Sequence, residues 1–158
     1  MPRRSDIRWL DSNEMIAWRT YVDTLVPLQQ QLEGDLAGFG LTMGDYEVLV
    51  RLSEHDDRRL RMCDLAVELR LSPSGLTRRL DGLARHGLVA REPSPADGRV
   101  MMAVLTDAGY ELLVRAAPTH VASVRRLFID VLTPEEVAAL GSAFTKVRAG
   151  LVGQDAPS

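Results

Sequence analysis

The sequence predicts an α+β fold, mostly helical, in which a single β-hairpin follows a closely spaced run of short helices. Three observations carry that expectation. Apolar residues recur at steps of three and four over most of the chain, the period of a half-buried helix. Compact start signals punctuate it: Ser72-Pro73 and Thr133-Pro134 each place a capping hydroxyl before a proline at the first helical position. Only residues 88–92 and 100–105 read as strands, and Pro93-Ser94-Pro95-Ala96-Asp97-Gly98-Arg99 between them is turn-forming. With 158 residues, 46% of them hydrophobic and 26% charged, the chain is sized for about one globular domain, which excludes disordered and collagen-like polymers and any large two-domain enzyme.

Taken in order, Met15, Trp18, Val22, Leu25, Leu32 and Leu36 lie on one stripe of a long first helix over 11–37. Pro27 falls inside it and is expected to bend it, because its ring crowds the carbonyl of Asp23. Gly38 and Gly40 end it. Thr42, with Asp45 three residues on, caps a second helix whose apolar residues are Tyr46, Leu49, Val50 and Leu52, closed by His55-Asp56-Asp57. A short helix over 62–69 turns Met62, Leu65, Ala66 and Leu69 inward, Arg70-Leu71-Ser72 is a tight turn, and a helix over 73–86 turns Leu76, Leu80 and Leu83 inward before Gly87 stops it. After the hairpin, Thr106 caps a fifth helix expected to reach about residue 131, with Pro118 inside it. Thr133-Pro134-Glu135-Glu136 opens the last helix, which carries Val137, Leu140, Phe144, Val147 and Leu151, and residues 153–158 are expected to fray.

No apolar run approaches the roughly 18 residues of a bilayer span. Met1-Pro2-Arg3-Arg4-Ser5-Asp6 opens onto no apolar stretch, so no secretory leader is expected either. Cys63 is the one cysteine and cannot form an intrachain disulfide, which points to a reducing, cytoplasmic setting. The net charge of −3 conceals an asymmetry: residues 58–99 hold nine arginines against five acidic residues, net +4, while residues 1–50 hold four against eight, net −4. A basic block in an acidic chain fits a nucleic-acid footprint, and a solvated helical surface equally well.

The order helix, short helix, tight turn, helix, β-hairpin is a winged helix-turn-helix. An α-helix is about 10–12 Å across and the major groove of B-DNA about 12 Å wide, so helix 73–86 is the candidate reader. With its leucines inward, its outward stripe is Ser74, Arg78, Asp81 and Arg85, with Gly75 and Thr77 beside it. Small residues at its start let it approach base edges, and the dipole of its N-terminus favours phosphate. Arg78 is the candidate for a base-edge contact, since arginine with guanine is the commonest specific pairing. The hairpin is the wing: Gly98 is expected to allow a tight tip, Arg99 to reach a minor groove, and Asp97 to orient Arg99 through an ion pair. The candidate DNA-binding residues are therefore Ser72, Ser74, Gly75, Thr77, Arg78, Arg79, Arg85, Asp97 and Arg99, in a DNA-binding domain over 41–105.

Leu83, Gly87-Leu88-Val89, Arg91, Asp97-Gly98-Arg99 and Val104-Leu105-Thr106-Asp107-Ala108-Gly109 match the pattern L-x-x-x-G-L-V-x-R-x-x-x-x-x-D-x-R followed by L-T-x-x-G. Through them the segment 65–109 resembles the MarR family of bacterial regulators (multiple-antibiotic-resistance regulator type), and the long terminal helices extend the resemblance over nearly the whole chain. The resemblance implies a homodimer with long N- and C-terminal dimerisation helices over 11–40 and 106–152, pseudopalindromic double-stranded DNA operators, and repression relieved by a small ligand. Geometry agrees on the dimer, because a two-fold pair sets two readers about 34–36 Å apart on one face of the duplex.

In the resembled family, ligands bind between the dimerisation helices and the winged lobe. Trp18, Arg19, Tyr21, Met43, Tyr46 and His120 are the corresponding candidates here, and an indole, phenols and an arginine suit an aromatic or phenolic acid. Trp18 and Tyr46 read more readily as core than as ligand contacts. No cofactor or metal is expected: Cys63 reads as a partly buried structural thiol, and His55, His86 and His120 are scattered away from it. Relatives that sense peroxides do so with a cysteine near the start of the first helix, and none stands there. No nucleophile elbow, phosphate loop or zinc motif is present, so an enzyme is not expected. The competing reading is a winged helix used for protein contacts without DNA, which the acidic flanks keep open.

Overall fold

The computed structural model describes residues 7–152. The opening hexapeptide and residues 153–158, on which the leader and fraying expectations rest, lie outside the described residues. Helix α1 (Ser12–Ala37) starts at a box that the sequence did not single out: the Asp11 side chain accepts from the Glu14 N–H, and the Glu14 carboxylate from the Asp11 N–H, both at 2.9 Å. It runs unbroken through Pro27. At its end Gly40 takes a φ of 71°, which lets the Leu41 N–H reach back to the Leu36 carbonyl at 3.3 Å. Helix α2 (Met43–Glu54) opens on the expected Thr42–Asp45 box.

A strand follows that the sequence reading missed. Asp56–Arg58 makes one 3₁₀ turn, with Asp57 and Arg58 at φ 54° and 52°, and Arg59–Arg61 forms β1. Three residues, two of them arginines, carry no alternation to read. The strand exists because β3 (Met101–Leu105) offers an edge, pairing Leu60 with Ala103.

Helices α3 (Met62–Glu68) and α4 (Pro73–Arg85) are joined by a turn in which Arg70 is left-handed, at φ 52°, and the Leu71 N–H returns to the Ala66 carbonyl at 2.9 Å. Ser72 caps α4 by accepting from the Gly75 N–H at 3.1 Å, with Pro73 in the first turn. At the far end Gly87, at φ 68°, reverses the chain, and the Leu88 N–H bonds the Leu83 carbonyl at 3.0 Å. The chain then enters β2 (Val89–Pro93), antiparallel to β3 with Val89 opposite Leu105, and the sheet runs β1-β3-β2.

The core lies in this lobe. Val48, Leu49 and Leu52 of α2, Leu65 of α3 and Leu80 of α4 are fully buried, with Leu36, Val89 and Ala103 beside them and Leu113 and Ala116 brought in by helix α5 (Asp107–Val124). Burying such a side chain stabilises by about 1.5–3 kcal/mol. Thr106 is more than the expected cap of α5: its hydroxyl meets the Gly87 and Leu88 carbonyls at 2.7 and 3.0 Å and accepts from the Gly109 N–H at 3.0 Å. Gly109 is pressed against the Leu88 carbonyl, where a Cβ would collide. The Leu-Thr-x-x-Gly motif is therefore a packed joint between the sheet, the end of α4 and α5.

The fifth helix changes form before its expected end. Arg125–Ile129 is a π-helical turn, closed by the Asp130 N–H on the Arg125 carbonyl at 2.7 Å and by an Arg125–Asp130 ion pair at 2.6 Å. Helix α6 (Pro134–Val152) opens on the Thr133–Glu136 box. On the stripe of α1 only Leu36 is buried, Met15 and Leu32 are half-buried, and Trp18, Val22 and Leu25 are exposed, as are Phe144, Val147 and Leu151 of α6.

Candidate nucleic-acid interface

The buried leucines fix the rotation of α4, and Ser74, Thr77, Arg78 and Arg85 emerge on its solvent side. Arg78 makes no hydrogen bond or ion pair among the described residues. The other polar groups are partly engaged. Ser72 Oγ caps the helix and stands 3.2 Å from Ser74 Oγ, the Thr77 hydroxyl donates to the Pro73 carbonyl at 2.9 Å, and Arg85 Nε donates to the Asp81 carbonyl at 3.3 Å. Gly75 is half-buried, with space for a Cβ limited by Ser72 Oγ at 3.1 Å.

The wing differs from expectation in two details. Asp97 does not pair with the Arg99 guanidinium: its Oδ1 accepts from the Arg99 backbone N–H at 3.0 Å, an Asx turn that shapes the tip. Gly98 is not left-handed, so the tip owes its tightness to that turn and to the Ser94 N–H on the Val100 carbonyl at 2.7 Å. The Arg99 side chain is left exposed and without a partner among the described residues.

Asp81, on the outward stripe, is tied down. Arg91 of β2 donates from Nη2 to Asp81 Oδ1 at 2.6 Å and to the Thr77 carbonyl at 3.0 Å, so the wing grips α4 along one flank. Sequence reasoning gave Arg91 no role beyond the motif. The signal that could have found it was an acid standing alone on a basic face. Arg79 is half-buried on the other flank, next to the leucines, and its guanidinium lies over Gly44 in the first turn of α2.

The six ligand candidates separate into two groups. Met43, Tyr46 and His120 line a cleft of about 370 Å³ between α2, the end of α3 and α5, together with Glu47, Arg51, Glu54, Glu68 and Arg70. The Tyr46 and His120 rings lie 4.6 Å apart, and His120 Nδ1 is buried without a partner. Burial raises the pKa of the Tyr46 hydroxyl and lowers that of His120, the latter against an opposing pull from Asp35. Trp18, Arg19 and Tyr21 lie on α1 outside that cleft. Tyr21 sits 6.0 Å from Trp18 and 5.8 Å from Phe144 of α6, and all three residues of α1 are exposed, so Trp18 is not core. Cys63 is exposed rather than partly buried, with Sγ 3.5 Å from Asp64 Oδ1. Among the described residues no group of three or more His, Cys, Asp or Glu could hold a metal ion, and no helix is long and apolar enough to cross a membrane.

A helix-turn-helix on a leucine core, with an arginine-tipped hairpin beside its second helix, defines a winged helix-turn-helix protein. The model of the MarR family matches residues 41–101. YhbI of Bacillus subtilis (strain 168), an uncharacterized HTH-type transcriptional regulator, is 30% identical over 121 residues, 75% of this chain and 77% of that protein. AbsC, a MarR family transcriptional regulator from Streptomyces coelicolor, is 46% identical with a TM-score of 0.89 over 93% of this chain and 99% of that one. Sco3205, a MarR family transcriptional regulator of the same organism whose structure is of a complex with DNA, is 40% identical with a TM-score of 0.86 over 90% and 94%. The chain belongs to the MarR family, whose members are transcriptional regulators rather than enzymes.

Proposed function

We propose that the protein is a homodimeric, sequence-specific DNA-binding regulator, a repressor released by a small ligand. The observation that carries this reading is that Arg78 on α4 and Arg99 on the wing are both exposed and unpaired, on two elements that Arg91 holds together. A reading helix enters the major groove while the finger beside it reaches the minor groove, where a cation is favoured. Ser72, Ser74, Gly75, Thr77 and Arg85 serve close approach and phosphate contact, and Asp97 shapes the fingertip. The DNA complex of Sco3205 and the description of YetL of B. subtilis, 27% identical over 87% of this chain and 84% of that protein, as a transcriptional repressor support the reading.

A second copy of the chain covers the faces of α1 and α6 left open by the first, and a pseudopalindromic operator matches the resulting two-fold axis. For the effector, the cleft offers the Tyr46 and His120 rings to a flat acid and Arg70 to its carboxylate. Trp18, Arg19 and Tyr21 belong instead to the open α1 face. Release requires that the ligand favour a conformer whose two readers no longer match the groove repeat, since equal binding to both conformers shifts nothing.

The test is a titration of a duplex selected from a random-sequence pool, repeated over a range of salt. Affinity is expected to fall with a log–log slope of about −0.9 per phosphate contact. Arg99→Ala weakens binding to all sequences alike, whereas Arg78→Ala relaxes preference at one base position by about 1–3 kcal/mol. Binding that ignores both salt and these substitutions refutes the reading.

A further inference from the structure

We propose that Arg79, although it stands next to Arg78, is a positioning residue that seats the reading helix against α2 through a notch provided by Gly44. This rests on α4 being the reader. At about 100° per residue, Arg79 lies beside the inward Leu76, Leu80 and Leu83 and well away from the stripe through Ser74, Arg78 and Arg85. Its guanidinium occupies the space that a side chain at position 44 would need: a Cβ there would fall inside it. Glycine is a poor helix former, and in the first turn of α2 its missing Cβ is what admits the plug. The receiving end is firm, because the Thr42–Asp45 box holds that turn, with the Thr42 hydroxyl on Asp45 Oδ2 at 2.7 Å. Arg79 makes no hydrogen bond or ion pair among the described residues, so the contact works by shape, a flat group against bare backbone.

The opposite flank of α4 is held by Arg91 on Thr77 and Asp81. Two arginines thus fix the roll of the helix, one reaching in from the wing and one reaching out to α2. Recognition constellations tolerate only about 10–20° of misorientation, so emptying or blocking the notch turns Arg78 off its base edge without removing any group that touches DNA.

The experiment compares full-length wild type, Gly44→Ala, Arg79→Ala, the double variant and Arg78→Ala. Each is titrated with a duplex selected by the wild-type chain and with a scrambled duplex of equal length, over a range of salt, and melted to establish folding. Gly44→Ala and Arg79→Ala are each expected to lower the selected-to-scrambled affinity ratio about ten-fold, with the scrambled affinity and the salt slope unchanged. The double variant should be no worse than either single one. A salt slope reduced by about one in Arg79→Ala makes Arg79 a phosphate contact and overturns the proposal. So do additive effects in the double variant or an unchanged ratio. If Gly44→Ala does not fold, Arg79→Met, which keeps the stem and removes the guanidinium, carries the same expectation. If Arg78→Ala also leaves the ratio intact, it is the assignment of the reader that fails rather than the seat.

Discussion

In the winged lobe most apolar residues face one another, whereas along much of α1 and α6 they face water. Leu49, Leu52, Leu65 and Leu80 have no exposed surface, while Trp18, Val147 and Leu151 show 56%, 57% and 55% of theirs. Both regions repeat apolar residues at steps of three and four. The difference teaches that helical periodicity reports a buried face without saying whose chain buries it. The lobe closes its core with help from Leu36 of α1 and Leu113 and Ala116 of α5, while the rest of the α1 and α6 faces stays open, as the proposed dimer requires.

The sharpest way to break this comparison is to change one residue in each region. Leu49→Ala should destabilise the lobe by about 2–5 kcal/mol in urea denaturation, because the fully packed site cannot collapse around the gap. Val147→Asp should leave the lobe folded but halve the mass in solution at micromolar concentration and abolish the dependence of the melting temperature on protein concentration. A dimer that survives it would move the interface elsewhere.

Finer tests probe how tightly the lobe is joined. Gly109→Ala forces a Cβ into the Leu88 carbonyl and should cost about 1–3 kcal/mol through backbone displacement, read as a lower denaturation midpoint. Asp81→Asn removes one partner of a pair whose side chains are 26% and 56% exposed, so water screens it and the loss of stability should be under about 1 kcal/mol. The smallest effect is a pH dependence. Burial lowers the pKa of His120 in the folded chain, against the pull of Asp35. The unfolded chain therefore takes up this proton first as pH falls, and the contribution of His120, intact above the ordinary histidine range, is lost progressively below it. Stability measured between about pH 7.5 and 5 should fall more steeply in wild type than in His120→Gln.

Most of the lobe was legible because local signals agreed with the fold. Ser72-Pro73, Thr42 with Asp45, and Gly87 each specify a helix end by chemistry that needs no distant partner. What could not be read either depended on distant partners or left no trace in the apolar spacing. The strand Arg59–Arg61 exists only against β3, and the π-turn at Arg125–Ile129 leaves no mark in the apolar spacing. At the candidate interface, the stripe of α4 followed directly from its leucines. The engagement of Asp81 by Arg91, the seating of Arg79 over Gly44, and the separation of Trp18 from Tyr46 and His120 are facts of packing between different elements.

The single hydroxyl of Thr106 touches the carbonyls on which the reading helix ends and the wing begins, while its own helix leads back toward α1. A tilt of α5 would therefore act at one point on both the end of α4 and the start of β2. Under the proposed function the two are aimed together, and an effector signal arriving through α5 would reach both at the same joint.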